Sequence, residues 1–201
     1  SEDTAFWKSF LGNLVSRGAK DVRMVVSDAH DGLKRAFGEV FPGASWQRCR
    51  VHFMRNILCH IPRAAQPMVA ALVKTVYAQP DQESALKQAK TVMDQLEQRF
   101  PKAMGVFEVG VMDSLAYMPF PKEQWTQLHS TNVLERLNRE IKRRTNVVSI
   151  FPNREALIRL VGAILMEQDD EWACAEKKYF SLAGIRKIPG YENLGEMTIF
   201  C

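Results

Sequence analysis

The sequence predicts a mainly helical protein of the α/β class whose strands are short and lie near the N-terminal end. Residues 22 to 27 (VRMVVS) form a brief apolar run that is typical of a buried strand, and apolar positions at helical spacing begin just after it. Residues 44 to 50 are the second strand candidate. The rest of the chain is dominated by stretches with the 3.6-residue period of amphipathic helices.

The first strand leads into a helix that begins at Asp31-Gly32. Its apolar positions follow the i, i+3, i+4, i+7, i+8 pattern of a helix with one buried face: Leu33, Ala36, Phe37, Val40 and Phe41. Pro42-Gly43 predicts a turn before the second strand. A further helix is expected from Val51 to His60, where Pro62 ends it.

An all-helical block follows. Helices are predicted over residues 66 to 78, 82 to 99 and 102 to 118, the second with Asp81 as its N-cap. The second helix is expected to bury Leu86, Ala89, Met93 and Leu96, and the third Met104, Phe107, Val111 and Leu115. Pro119 and Pro121 end the block. The last two helices are expected from Asn132, with Leu134, Leu137 and Ile141 facing inward, and over residues 154 to 171.

Composition excludes several classes of protein. With 46% hydrophobic and 25% charged residues, the 201-residue chain has the composition of an ordinary globular protein. No apolar run approaches the roughly 18 residues of a membrane span, and no signal peptide is recognisable. The irregular spacing of Cys49, Cys59, Cys174 and Cys201 favours reduced thiols in a cytoplasmic compartment. Because the chain opens without methionine and soon enters an amphipathic helix, we expect a fragment.

Positive charge is concentrated in one segment. Residues 132 to 159 carry seven basic side chains against three acidic ones, an excess equal to the net charge of +4 of the whole chain. A local positive field of this kind suits a polyanionic partner. The alternative is a solvated helix held by i, i+4 ion pairs, such as Glu135 with Arg139.

Asp28 follows the first strand directly. The carboxyl ends of parallel strands are where ligands collect in α/β sheets, and a carboxylate held there is a suitable ligand for Mg²⁺. The alternative is that Asp28 or Asp31 caps the following helix. Glu135, about 100° around its helix from the predicted buried stripe, is the candidate partner carboxylate. Acids that hold a metal beside bases that hold a phosphate backbone are what phosphodiester chemistry needs.

Three ordered segments resemble mutator-type transposases of bacterial insertion sequences. They are VVSDAHDGLKRAF, WQRCRVHFMRNIL and HSTNVLERLNREIKRRTNVVSIFPNREALIRLVGAILMEQDDEW. The resemblance implies a ribonuclease H-like catalytic core with an Asp, Asp, Glu triad, in which Asp28 matches the second aspartate and Glu135 the glutamate. It also implies that a helical insertion separates the two. The expected organisation is part of the core over residues 1 to 63, the insertion over 64 to 118, the remainder of the core over 119 to 182, and a tail over 183 to 201.

The implied activity is cleavage of element ends and strand transfer into target DNA. The resemblance implies Mg²⁺ or Mn²⁺ held by the carboxylates, a homo-oligomer on DNA, and a location in the bacterial cytoplasm at the nucleoid. Phosphate contacts are expected from the cations of the Glu135 helix: Arg136, Arg139, Lys142, Arg143 and Arg144. The family's first aspartate has no match in this chain, so we expect the chain alone to be inactive.

The Cys49-x₂-His52 pair also belongs to a pattern of the resembling family. With Cys59 and His60 it would supply four zinc ligands, although adjacent residues of a helix point in different directions. We favour Cys49 and His52 beside the catalytic pocket, in contact with DNA or a phosphate. His30 is a candidate for proton transfer, with a structural hydrogen bond as the alternative.

Two other functions compete with transposition. An inactive DNA-binding transposase remnant is favoured by the unmatched aspartate. A metal-dependent phosphoesterase unrelated to transposases is favoured only by the strand-end sequence SDAHDG.

Overall fold

A computed structural model describes residues 3–176 and 179–192. These residues fall into two compact units. The first unit contains the residues up to Phe120 together with Leu128–Ser130, and the second contains Pro121–Gln127 and the residues from Thr131 onward. The fold is predominantly helical, and its one sheet among the described residues has two strands.

The first unit follows the predicted order of elements. They are α1 (Thr4–Ser16), β1 (Met24–Ser27), α2 (Asp31–Val40), β2 (Ser45–Arg48), α3 (Arg50–Leu58), α4 (Gln66–Tyr77), α5 (Gln82–Glu97) and α6 (Pro101–Ser114). Every strand and helix predicted in this region is present, with bounds that differ from the prediction by a few residues.

The two strands are parallel and are joined by α2. Met24 pairs with Ser45 at one end, and Ser27 pairs with Arg48 at the other. One buried cluster packs α1 and α2 against the sheet, and it contains Leu11, Ala36, Phe37 and Trp46. The Trp46 indole N–H donates to the Ser27 hydroxyl at 2.8 Å, which ties the two strands together at their side chains as well.

The helical block α4 to α6 packs as a bundle beside α3 and β2. Asp81 caps α5 as predicted, because its Oδ1 accepts from the Ser84 amide at 2.8 Å. In α6 the predicted residues Phe107 and Val111 are buried, as is Leu115 at the C-cap, and Met104 is half-buried. The predicted face of α5 was partly wrong. Its buried residues are Ala85, Ala89, Val92 and Leu96, whereas Leu86 and Met93 are half-buried.

A glycine sets how closely α6 approaches β2 and α3. A Cβ atom on Gly110 would lie 2.1 Å from Arg48 Nη1 and 2.5 Å from Phe53 Cε2. The Phe53 ring is buried and stacks on Phe107 with 6.1 Å between the ring centroids. Only a residue without a side chain fits at this crossing.

The second unit contains α7 (Trp125–Leu128, of which Leu128 belongs to the first unit), α8 (Asn132–Val148), α9 (Arg154–Cys174) and α10 (Leu182–Ile185). Helix α8 buries none of its residues. The prediction that Leu134 faces inward was therefore wrong, since Leu134 is 57% exposed, while Leu137 and Ile141 are half-buried.

The expected tail begins with a short helix. Ser181 caps α10 by accepting from the Gly184 amide, and residues 193–201 lie outside the described part of the chain. The division into core, insertion and tail stays a prediction. None of the helices formed by the described residues combines the length and the apolar composition that crossing a bilayer requires.

Candidate active site

The site begins where the two parallel strands end. Asp28 directly follows β1, and Cys49 directly follows β2. Because Ser27 and Arg48 are paired in the sheet, the next residue of each strand emerges at the same edge. The Cys49 amide donates to the Ser27 carbonyl at 2.8 Å, which extends the ladder by one bond and fixes the spacing at this edge.

His52 completes the cluster from the first turn of α3. Cys49 is the N-cap of α3, so His52 lies one helical turn beyond it. The His52 Nδ1 atom lies 3.3 Å from Cys49 Sγ and forms an ion pair with Asp28 Oδ1. One ligand atom from each of the three residues lies within 4.8 Å of the other two. The sheet edge and one helical turn thus assemble a carboxylate, a thiol and an imidazole.

The three side chains differ in their access to solvent. Cys49 is fully buried. The side chain of His52 is 27% exposed and that of Asp28 is 54% exposed. Asp28 therefore presents its carboxylate outward, while Cys49 lies beneath it.

Helix capping does not account for Asp28. His30 is the N-cap of α2, and its Nδ1 accepts from the Leu33 amide at 3.1 Å, while Asp31 is the first residue of the helix. The alternative that Asp28 or Asp31 caps this helix was therefore wrong. His30 has the structural hydrogen bond that was the alternative to its role in proton transfer.

The four-ligand zinc alternative is not formed. Cys59 is exposed, and its thiol donates to the Asn56 carbonyl at 3.1 Å. In the described ranges, Asp28, Cys49 and His52 are the one group of three or more potential ligands at this spacing. Cys49, Cys59 and Cys174 are thiols and not members of disulfides, as expected for reduced cysteines.

Arg48, the last residue of β2, packs its positive charge on a buried aromatic ring. Its guanidinium lies 4.4 Å from the centre of the Phe53 ring. Burial lowers the pKa of Arg48, and Asp113, Tyr77 and Asp28 oppose that shift through their negative potential.

A buried glutamine joins β2 to the end of α6. Gln47 donates from Nε2 to the Arg48 and Ser114 carbonyls at 2.7 and 3.0 Å, and its Oε1 accepts from the Tyr117 amide at 2.9 Å. All polar atoms of the side chain are thereby satisfied inside the core. These hydrogen bonds hold β2, and with it the cluster, against the helical block.

A basic pocket of about 310 Å³ opens beside α3. It is lined by Arg50, Val51, Met54, Arg55, Lys74, Tyr77 and His129. Arg50 is fixed there, since its guanidinium lies 3.9 Å from the centre of the Tyr77 ring and donates to the Tyr117 hydroxyl at 3.3 Å. Burial raises the pKa of Tyr77 to about 12, so the phenol is neutral at physiological pH. Among the described residues, three cations and no carboxylate line the pocket, which suits an anionic group.

Glu135 lies in the first turn of α8, in the second unit. Its side chain is half-buried, and its Oε1 accepts from the Thr131 hydroxyl at 3.3 Å. A carboxylate at a helix N-terminus is stabilised by the unpaired amides of the first turn.

The five cations of α8 fall into two groups. Glu140 forms ion pairs with Arg143 and Arg144 at 2.7 and 2.9 Å, and Arg144 also pairs with Glu167 of α9 at 3.0 Å. Arg136, Arg139 and Lys142 are exposed, and none of them takes part in an ion pair within the described ranges. Two of the five predicted phosphate contacts, Arg143 and Arg144, are therefore already paired with glutamates.

Comparisons with known proteins identify the family of this chain. The profile of the family described as "Transposase, Mutator family" matches residues 1–175. The chain belongs to the Mutator family of transposases. The resemblance inferred from the three segments is thereby confirmed.

Curated relatives are named as transposases of bacterial insertion sequences. The transposase for element IS1081 of Mycobacterium tuberculosis is 46% identical over 172 residues, which cover 86% of this chain and 41% of that protein. The transposase for ISRM5 of Rhizobium meliloti is 40% identical over 92% of this chain and 46% of its own length. The transposase for IS256 of Staphylococcus aureus is 38% identical over 90% of this chain and 46% of its own length. The Mutator-family chain spans less than half the length of these relatives.

Sequence reasoning missed the roles of two residues, Gln47 and Glu140, and one contact in this Mutator-family chain. Gln47 was expected only as part of a strand, and a single glutamine gives no signal of its buried bonds. Glu140 was counted in the net charge but not as a partner, although its i, i+3 and i, i+4 spacing to Arg143 and Arg144 is the usual signal. The contact between Asp28 and His52 could not be predicted from the strand-end position of Asp28 or from the Cys49-x₂-His52 spacing, because neither pattern relates the two residues.

Proposed function

We propose that this chain carries catalytic residues of a DNA transposase that cleaves the ends of an insertion sequence and transfers the freed 3′ ends into target DNA. Membership of the Mutator family supports the reaction class. The observation that carries the proposal to residues is the position of Asp28 at the carboxyl edge of the parallel sheet, where its carboxylate is exposed and does not cap a helix. We place these residues in a ribonuclease H-like core, as the resemblance implies.

Asp28 and Glu135 are the proposed ligands of Mg²⁺ or Mn²⁺. Both supply carboxylate oxygens, the donors that these hard cations prefer, and Asp28 has the exposure that a cation from solvent needs. Divalent cations in such sites stabilise the attacking and leaving oxygens of an in-line displacement at phosphorus. The third carboxylate implied by the resemblance matches no residue here, so we propose that the 201-residue chain binds DNA without cleaving it.

His52 is the proposed positioning residue for Asp28. Its Nδ1 contacts Asp28 Oδ1, and Cys49 packs against the same nitrogen. This contact holds one carboxylate oxygen at the sheet edge, while 54% of the Asp28 side chain stays exposed. A carboxylate with a restricted rotamer loses less conformational entropy when it binds a cation.

The exposed cations of α8 are the proposed contacts to the DNA backbone. Arg136, Arg139 and Lys142 can each approach a phosphate without first breaking an ion pair. Arg143 and Arg144 must exchange Glu140 for a phosphate, so we propose smaller contributions from them. The basic pocket beside α3 offers a further place for a phosphate group. Such contacts fix register on DNA and do not read its sequence. We further propose that the protein acts as a homo-oligomer on nucleoid DNA in the bacterial cytoplasm.

A cleavage assay tests the proposed chemistry. The transposase that contains this segment is expected to nick a labelled element end in the presence of Mg²⁺ or Mn²⁺. Asp28→Asn and Glu135→Gln are each expected to abolish nicking and strand transfer while DNA binding persists. The matched control is Asp94→Asn, at an exposed acid of α5, which is expected to leave cleavage unchanged. Undiminished nicking by Asp28→Asn or Glu135→Gln would remove that residue from the mechanism.

A salt titration tests the proposed DNA surface. The slope of log K against log salt falls in magnitude by about 0.9 for each phosphate that the protein no longer neutralises. The triple variant Arg136→Ala, Arg139→Ala, Lys142→Ala is expected to lower the magnitude of the slope by about 2 to 3. Arg143→Ala with Arg144→Ala is expected to lower it by less, and Lys87→Ala, an exposed lysine paired with Glu83, is the neutral control. Equal slopes for the triple variant and the unchanged chain would contradict the assignment.

An inactive DNA-binding remnant is the second candidate. It is favoured by the fact that only two of the three implied carboxylates match residues of this chain. It predicts that the protein expressed from this locus binds element ends yet nicks them with neither cation.

A further inference from the structure

We propose that Asp28, Cys49 and His52 form a site for a thiophilic transition-metal ion such as Zn²⁺. The second part of the proposal, which rests on the proposed function, is that such an ion inhibits cleavage by withdrawing Asp28 from Mg²⁺. The cluster is drawn together from the ends of two strands and the first turn of a helix, and its ligand atoms lie within 4.8 Å of one another.

The donor set discriminates between metals. Mg²⁺ binds oxygen and would use only the carboxylate of this group. A thiolate, an imidazole nitrogen and a carboxylate oxygen together are a donor set that Zn²⁺ and Co²⁺ accept. The buried thiol makes the difference, because Cys49 offers nothing to a hard cation and a strong bond to a soft one.

The spacing is close to that of a tetrahedral site. Zinc bonds of about 2.0 to 2.3 Å place neighbouring tetrahedral ligands roughly 3.3 to 3.7 Å apart. Cys49 Sγ and His52 Nδ1 already lie 3.3 Å apart. Asp28 and His52 are in direct contact, so a metal ion that enters would replace their contact with two bonds. Only the exposed carboxylate has to move, while Cys49 and His52 stay fixed by α3.

Three protein ligands leave one coordination position open. Open positions are typical of zinc sites that bind water or a substrate oxygen. On binding, the Cys49 thiol releases its proton to solvent and bonds as the thiolate. No oxidant or reductant takes part.

Cobalt binding tests the site without any reference to cleavage. Co²⁺ added to the 201-residue chain is expected to give a thiolate charge-transfer band in the near ultraviolet and the intense visible bands of tetrahedral Co²⁺. Zn²⁺ is expected to displace the Co²⁺, whereas a large excess of Mg²⁺ is expected to leave the bands in place.

Cys49 is fully buried, so Cys49→Ala can lose metal binding simply because the local fold is disturbed. A second variant is therefore needed. The variant Cys59→Ala, Cys174→Ala, Cys201→Ala keeps Cys49 as its only thiol and is expected to retain the bands. Cys49→Ala is expected to lose the charge-transfer band, and His52→Ala and Asp28→Asn are expected to lose the tetrahedral visible bands. Absence of the band from the variant with Cys49 alone, or its survival in Cys49→Ala, would overturn the proposed site.

The inhibition is tested separately in the transposase that contains this segment. Zn²⁺ is expected to inhibit Mg²⁺-dependent nicking, and Cys49→Ala is expected to raise the half-inhibiting Zn²⁺ concentration at least about tenfold relative to its own uninhibited rate. Cys59→Ala is expected to keep the original sensitivity. Equal sensitivity of Cys49→Ala would overturn the inhibition while cobalt binding stands. If the transposase that contains this segment never nicks DNA although the 201-residue chain binds cobalt, the proposed function is contradicted and the metal site stands.

Discussion

The sheet edge that carries Asp28 and the helix α8 that carries Glu135 are built in different ways. Around Asp28 the neighbouring side chains are locked by the core, since Cys49, Gln47 and Phe53 are all fully buried. Helix α8 buries none of its residues, and α9 buries only Ile164. One carboxylate is thus placed by packing, and the other by a helix whose shape depends on local hydrogen bonds and ion pairs.

This difference determines how each region responds to substitution. Protein interiors are close-packed, so removing or adding a methyl group in the core of the first unit lowers the free energy of unfolding. At an exposed position of α8, the original and the substituted side chain are both solvated. Substitutions there change charge and surface, while the free energy of unfolding changes little.

The largest expected effect comes from truncating one leucine to alanine in each region. Leu115, at the end of α6, is fully buried, whereas Leu134 in α8 is 57% exposed. Leu115→Ala is expected to lower the free energy of unfolding by about 3 kcal/mol, because apolar burial is removed and a cavity is left behind. Leu134→Ala is expected to change it by less than about 0.5 kcal/mol. Urea denaturation followed by circular dichroism measures both.

Equal losses for the two leucines would break the comparison. They would mean that the apolar side of α8 is covered in solution, for example by another copy of the chain. Repeating the denaturation at several protein concentrations separates that case, because only an association makes the midpoint depend on concentration.

Two glycines of α6 give the next largest effect. Gly110→Ala is expected to destabilise the protein by about 2 kcal/mol, since the new methyl group would meet the buried Phe53 ring at 2.5 Å. Gly105→Ala meets nothing within 4 Å and is expected to stabilise the helix by up to about 1 kcal/mol. Thermal denaturation of both variants tests this, because the midpoint temperature is expected to fall for Gly110→Ala and to rise for Gly105→Ala. A stable Gly110→Ala protein would show that α6 can shift away from β2.

Most of the first unit was predictable because its signals are local. The strand from Met24, the turn at Pro42-Gly43 and the cap at Asp81 each follow from a few neighbouring residues. Burial in α8 was not predictable, since the spacing of Leu134, Leu137 and Ile141 states which residues share a face but not whether anything covers that face. In α5 two sets follow a helical period, residues 85, 89, 92 and 96 and residues 86, 89, 93 and 96, so spacing alone did not decide which set is buried.

The candidate site was predictable in its parts but not in its assembly. Asp28 followed from its place after a strand, and the Cys49-x₂-His52 spacing indicated one helical turn. Their convergence depends on the register that pairs Ser27 with Arg48, which no local pattern specifies. His30 as a cap was missed because capping is usually expected from Asp, Asn, Ser or Thr.

Acid titration of Glu140 is the smallest effect and addresses α8 directly. Hydrogen bonds from Arg143 and Arg144 lower the pKa of the Glu140 carboxyl to about 2. A carboxyl whose pKa is lower in the folded than in the unfolded chain stabilises the fold at pH values above its unfolded pKa of about 4.3, and that contribution disappears as the pH falls toward 2. The Glu140 side-chain carboxyl resonance is expected to titrate near the lower value, and Arg143→Gln with Arg144→Gln is expected to return the midpoint to the ordinary range. Added salt should raise the midpoint as well, because an exposed pair is screened. A midpoint above about 4 in the unchanged chain would mean that the two arginines leave Glu140 in solution. Arg143 would then join the cations available to DNA, while Arg144 would keep its ion pair with Glu167.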